Sequence, residues 1–210
     1  MAESRKTSGA RVAAQSTNGS SLVGQLLVAM PTMRDKRFVR SVIYVCTHTS
    51  DSAMGLILNQ RAPHIDFPDL LEQLGIVPGQ TEESIPPEIL DMDVHIGGPV
   101  DTKRGFVLHT ADYMVDKTTM IIDNRICLTA TVDVLKAIAV GRGPRQALLA
   151  LGYAGWGAGQ LDAEIQANGW LHCPADANLI FGRKLEAKYE LAMSKIGIDM
   201  SHLVSDAGHA

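Results

Sequence analysis

The sequence predicts an α+β fold: a single domain on a mixed or antiparallel β-sheet system, with helices packed outside it. Three observations carry that prediction. Strand-like segments arrive in neighbouring pairs. Helical segments are scattered between them without strict alternation. A chain of 210 residues without an internal repeat suits one domain.

Residues 1–21 are rich in Ser, Ala, Thr, Gly, Arg and Lys and lack hydrophobic periodicity. They read as a disordered tail, with the domain spanning 22–210. The tail's basic, Ser-rich character also suits a transit peptide, against which stands the lack of an amphipathic stripe. Residues 22–29 are the first strand candidate. As a signal core the run is interrupted by Gly24 and Gln25, starts late, and is followed by Pro31 and charged residues without a small-residue cleavage site. Residues 38–47 form the second, rich in side chains that fit a pleated surface: Val39, Val42, Ile43, Tyr44 and Val45. The polar segment 48–53 reads as a turn into a short strand at 54–59. A helix should follow. Asp66 supplies its cap, Pro68 and Asp69 suit its first turn, Leu70, Leu71 and Leu74 form its stripe, and Gly75 stops it. Pro78, Gly79, Pro86 and Pro87 then mark a surface loop expected to be mobile.

Two strands, 94–96 and 105–109, flank the turn Gly97-Gly98-Pro99. Two more, 119–122 and 126–131, meet at Asp123-Asn124. Residues 132–140 have helical spacing up to Gly141. Residues 147–153 are apolar throughout, as in a central strand buried on both faces. Next, Gly155, Gly157 and Gly159 would turn the chain under Trp156 into a helix over 160–168, stopped by Gly169. Leu185, Tyr189, Ala192, Met193 and Ile196 recur at helical spacing in the longest helix, which ends at Gly197.

A net charge of −4 gives no broad pull on nucleic acid or anionic membrane. No apolar run reaches the roughly 18 residues of a membrane span. Three widely spaced cysteines, Cys46, Cys127 and Cys173, form neither a disulfide framework nor a C-x-x-C pair. They suit a reducing cytoplasm.

Two glycine-rich segments are candidate anion sites. Gly97 and Gly98 lie beside Lys103 and Arg104, and backbone N–H groups with two cations can form a nest. The competing account is a strand-linking turn with solvated charges. Gly155, Gly157 and Gly159 precede a helix, whose start can hold an anion. Their period is not that of a dinucleotide loop, and no Walker lysine follows, so a structural corner competes here too. Among seven histidines none forms H-x-H or H-x-x-x-H. The close Cys/His pairs are Cys46 with His48, sharing a strand face by alternation, and His172 with Cys173. A zinc site needs three or four converging ligands, so no metal is expected, and nothing calls for a cofactor. There is no G-x-S-x-G elbow. His109 and His95 are the histidines near the glycine turns where acid–base work would fall. Glu164 reads as a solvated or capping residue. Arg34, Lys36, Arg37 and Arg40 form the densest basic cluster. With Phe38 as its lone aromatic and no helix-turn-helix pattern, it reads as a solvated loop or a face for an acidic protein.

Several ordered motifs together resemble one family. They begin with Gly24-Gln25-Leu26-Leu27-Val28-Ala29-Met30-Pro31-Thr32-Met33-Arg34-Asp35, followed by Phe38, Ser41 and Val42. They continue through Gly55-Leu56-Ile57-Leu58-Asn59, Gly97-Gly98-Pro99-Val100 and Arg104-Gly105-Phe106-Val107-Leu108-His109. The glycine–tryptophan stretch follows, with Glu164-Ile165, Asn168 and Trp170-Leu171. Ile196-Gly197-Ile198-Asp199 and Gly208-His209-Ala210 complete the set. From about residue 22 to 210 the chain resembles the YqgE/AlgH family. The resemblance implies an α+β single domain in a bacterial cytosolic protein, associated by name with alginate regulation and by label with transcription. It implies no catalytic residues.

The leading expectation is a cytoplasmic, non-enzymatic domain that binds a small anionic ligand or a protein partner. Its sites would be Gly97, Gly98, Lys103, Arg104 and His109 at one turn, and Gly155, Gly157 and Gly159 at the other. Self-association is a further partner class, while DNA and membrane are disfavoured. The alternatives are a hydrolase or transferase using His109 or His95, and a transcriptional regulator using the basic cluster.

Overall fold

The computed structural model describes residues 21–76, 86–115 and 117–199. The tail before Ser21, the loop positions Pro78 and Gly79, and Gly208-His209-Ala210 lie outside the described residues. Nine strands form one sheet: β1 (Gln25–Ala29), β2 (Val42–His48), β3 (Ser52–Ile57), β4 (Val94–Ile96), β5 (Val100–Thr110), β6 (Thr119–Ile121), β7 (Ile126–Thr129), β8 (Ala147–Gly157) and β9 (Trp170–Pro174). Their order is β6-β7-β5-β8-β3-β2-β1-β9, with β4 also paired to β8. Every pairing is antiparallel except β4 with β8. The helices are α1 (Phe67–Gln73), α2 (Pro87–Leu90), α3 (Val132–Ala139), α4 (Gln160–Gln166), α5 (Ala177–Phe181) and α6 (Leu185–Lys195).

β8 is the spine. Along one edge it pairs with β5. Along the other it takes β4 against Leu149–Leu151 and then β3 against 154–157. Its side chains are shared among three cores. Leu148 and Ala150 join an inner core with Leu26 and Tyr44 from one end of the sheet and Leu108 and Leu128 from the other. The sheet must therefore curl around that core, which Ile180, Tyr189 and Met193 of α5 and α6 fill. Leu149 faces a second core under α1 and α3, with Phe67, Val134 and Ile138. Ala154 and Trp156 face a third, with Ile43, Leu161 and Trp170.

Several local expectations change. Residues 38–41 form a turn, because Ser41 N–H donates to Phe38 O, and Arg40 has φ 55°. Asn59 sets where β2 begins: its Oδ1 accepts from Val42 N–H at 2.9 Å and its Nδ2 donates to Arg40 O at 2.8 Å. Gly155 and Gly157 continue β8, opposite Met54 and Ser52, and only Gly159 (φ 65°) makes the corner. Strand β9 and helix α5 are short elements that the sequence pattern did not reveal.

Candidate functional site

The turn at Gly97 and Gly98 packs against the backbone of β8 at Gly152 and Tyr153. A Cβ on Gly97 would overlap Gly152 O, and one on Gly98 would overlap the Tyr153 backbone. Gly97 N–H already donates to Leu151 O at 2.8 Å. Backbone here packs on backbone, which is why glycine is required. Lys103 and Arg104 stand on the exposed start of β5, with the Arg104 guanidinium 5.2 Å from the Phe106 ring centre. The Gly157 amide is taken by Gln160 Oε1 at 3.0 Å. His109 is fully buried, and both ring nitrogens are engaged, Nδ1 with Thr110 O (2.9 Å) and Nε2 with Thr129 Oγ1 (2.8 Å). Burial holds its pKa below the ordinary value.

Glu164 is a clamp, not a solvated residue. Its Oε2 accepts the indole N–H of both Trp156 (2.9 Å) and Trp170 (2.8 Å), and its Oε1 accepts from Gln160 Nε2 (2.8 Å). The two indoles meet edge to face at 5.9 Å. Cys46 and His48 do not share a face, because a bulge between Val45 and Thr47 breaks the alternation. Cys46 lies in the inner core, whereas His48 sits opposite Ala53 of the third core and pairs with Asp162 at 3.4 Å. Among the described residues no three His, Cys, Asp or Glu side chains gather into a metal-sized cluster. In the basic cluster, Arg37 pairs with Asp35 at 2.6 Å and Arg40 with Glu190 at 3.2 Å.

A sizeable concavity lies elsewhere, where the curled sheet fails to close. A cleft of about 670 Å³ runs between the β6–β7 turn (Asp123, Arg125) and the connection from β9 into α5 (Ala175, Asp176). That volume falls within the range of small-molecule sites, which often occupy the mouths of curled sheets. Its apolar lining includes Ile126, Ile180 and Phe181, and Tyr44 reaches it from β2. Three aspartates and two arginines give the lining its polarity. Asp112 is held by Arg145, whose Nε lies 3.3 Å away, and a Thr110 hydrogen bond is the main cause of its lowered pKa. Asp176 pairs with Lys195 at 2.6 Å, which keeps its pKa low, and caps α5 through Leu179 N–H. Asp123 accepts from the backbone N–H groups of Arg125 and Ile126 at 2.7 and 2.9 Å, and from the Tyr44 hydroxyl at 3.4 Å. Burial raises the Tyr44 pKa, so the phenol stays protonated. The Arg125 side chain is exposed and makes no ion pair among the described residues.

Behind Phe181 lies a smaller cavity of about 100 Å³, lined by His95, Asp93, Arg183 and Lys188. Lys188 is 2% exposed, and its Nζ donates to Leu58 O (3.1 Å) and Ile180 O (2.8 Å). Burial pushes its pKa down to about 8, against the pull of Asp93. His95 is 5% exposed; Nδ1 meets Leu149 O at 3.1 Å and Nε2 has no hydrogen-bond partner among the described residues. Burial first, and Lys188 second, lower its pKa to about 4, although the Leu149 carbonyl and then Asp93 favour the charged ring. Imidazole is therefore neutral at pH 7, with the proton on Nδ1 and a free lone pair on Nε2. The sequence hid Lys188 because a lysine normally interrupts a buried stripe. The signal was its position, three residues after Leu185 and four before Ala192, within the inward face of α6.

Among the described residues, no helix is long and apolar enough to cross a membrane. The chain is 57% identical over 192 residues to a UPF0301 protein of Azorhizobium caulinodans, covering 91% of this chain and 94% of that one. It is 59% identical over 189 residues to a UPF0301 protein of Rhodopseudomonas palustris, with coverage of 90% and 89%. The solution structure of AlgH from Pseudomonas aeruginosa superposes with a TM-score of 0.71 at 38% identity, covering 94% of this chain and 100% of that one. A crystal structure of a Corynebacterium diphtheriae protein shares the fold, with a TM-score of 0.62 at 22% identity and coverage of 85% and 88%. The AlgH-like family model (DUF179) matches residues 26–201, and the chain belongs to that bacterial family.

Proposed function

We propose that this protein is a non-enzymatic, cytoplasmic binding domain whose cleft takes a small polar molecule with one anionic group. The carrying observation is the open cleft with the Arg125 guanidinium beside Asp123 in its lining; that guanidinium makes no ion pair among the described residues. The charges narrow the ligand class. Three aspartates against two arginines leave the lining at −1, and Lys195, paired to Asp176 from outside, brings the neighbourhood to neutral. A polyphosphate gains little from such a surface. A monoanion whose hydroxyl or amine groups face Asp123, with its body on Ile180 and Phe181, uses every feature present. Three buried cysteines without disulfides support the cytoplasmic setting.

Thermal-shift screening against hydroxy acids, amino acids and sugar monophosphates tests this reading. A ligand at about 100 times its Kd stabilises by roughly 2.7 kcal/mol, a readable shift in Tm. Arg125→Gln should weaken the best hit about tenfold or more, as loss of a charge-assisted contact does. A flat panel, or hits indifferent to Arg125→Gln, would reject the reading.

A further inference from the structure

We infer that Lys188 and His95 form a second site, behind Phe181, which captures a small carbonyl compound as an imine on the Lys188 amine. Two carbonyls, Leu58 O and Ile180 O, accept from Lys188 Nζ, which an amine's two hydrogens satisfy in full. The remaining position, a lone pair in the neutral amine, has no partner in the described structure. His95 lines the same cavity and presents an orphaned Nε2 while Nδ1 is held by Leu149 O. A nitrogen lone pair beside an amine can take a proton from it. This pairing of nucleophile and base suits attack on a carbonyl. A lysine pKa near 8 places a useful share of the group in its neutral form at cellular pH.

The size of the cavity limits the ligand. About 100 Å³ corresponds to roughly three water volumes, room for a carbonyl compound of a few heavy atoms. Arg183, whose Nη2 donates to Asp91 O at 3.5 Å, adds positive charge to the lining, which a short α-oxo acid matches. The Lys188 nitrogen lone pair forms the new C–N bond, and the carbonyl π pair moves to oxygen. His95 Nε2 takes one proton from nitrogen and gives it to that oxygen, making a hydroxyl, then takes the second and returns it to the hydroxyl, which leaves as water while nitrogen closes the C=N bond. Aldehyde plus amine thus gives imine plus water, with no oxidant or metal.

Incubation of the full chain with glyoxylate and cyanoborohydride, followed by peptide mapping, tests the site. Hydride reduction would fix the imine as a carboxymethyl group. Lys188 should be modified at least about tenfold faster than the exposed Lys136, because burial holds the Lys188 pKa down to about 8 and His95 stands beside it. His95→Gln should slow Lys188 at least about tenfold and leave Lys136 unchanged. Modification of Lys136 with Lys188 bare would overturn the inference, as would a folded His95→Gln protein that labels Lys188 at the original rate. If that variant does not fold, the wild-type map decides alone.

Discussion

Individual side chains here have environments that their sequence neighbourhoods do not advertise. His109 and His95 stood equally near glycine turns. The structure ties both nitrogens of His109 and leaves Nε2 of His95 without a hydrogen-bond partner among the described residues. That difference has a thermodynamic consequence. In the unfolded chain His95 binds a proton below about pH 6.5, but in the folded protein only below about 4. Between those values the unfolded state holds more protons, so stability falls as pH drops through the window. The loss attributable to His95 is at most about 3 kcal/mol. Urea unfolding at pH 7 and pH 4.5 should show a smaller drop for His95→Gln than for the wild type. Equal drops would place the acid sensitivity in other groups. Residue identity alone could not separate the two histidines, because the deciding partners, Thr129 and Leu149, come from other strands.

At the level of elements, regular patterns were legible and interactions between elements were not. The capped helix at Asp66 and the apolar run in β8 follow from local chemistry, and both formed where expected: Asp66 accepts from Asp69 N–H at 2.8 Å. The start of β2 did not, since its boundary depends on Asn59, seventeen residues downstream of Val42. β9 was missed because its pairing with β1 supplies the order that a five-residue segment lacks by itself. The glycine–tryptophan corner was legible as a corner, but its organising group was not. Glu164 joins β8, α4 and β9 by accepting two indole N–H groups. Replacing it leaves two largely buried donors unpaired at a cost of about 2–4 kcal/mol. Chemical denaturation of Glu164→Ala should show that loss, with altered tryptophan fluorescence. A change below about 0.5 kcal/mol would mean the carboxylate is dispensable.

For the whole molecule, the curl of the sheet decides where a ligand can sit. Gly97 and Gly98 serve close packing against Gly152 and Tyr153. The cleft instead forms between the two ends of the strand order, joining Asp123 and Arg125 to Ala175 and Ile180. No local motif could announce a site assembled from segments fifty residues apart. Burial by α5 and α6 closes most of the concave face and leaves this mouth open. The same helices place Phe181 between the cleft and the Lys188 cavity. The most direct test of the account is chemical-shift mapping on isotope-labelled protein, titrated with a screened monoanionic ligand. The account predicts shifts confined to Tyr44, Asp123, Arg125, Ile180, Phe181 and their neighbours. Shifts centred on Gly97–Arg104 or Gly155–Gly159, with the cleft silent, would contradict it.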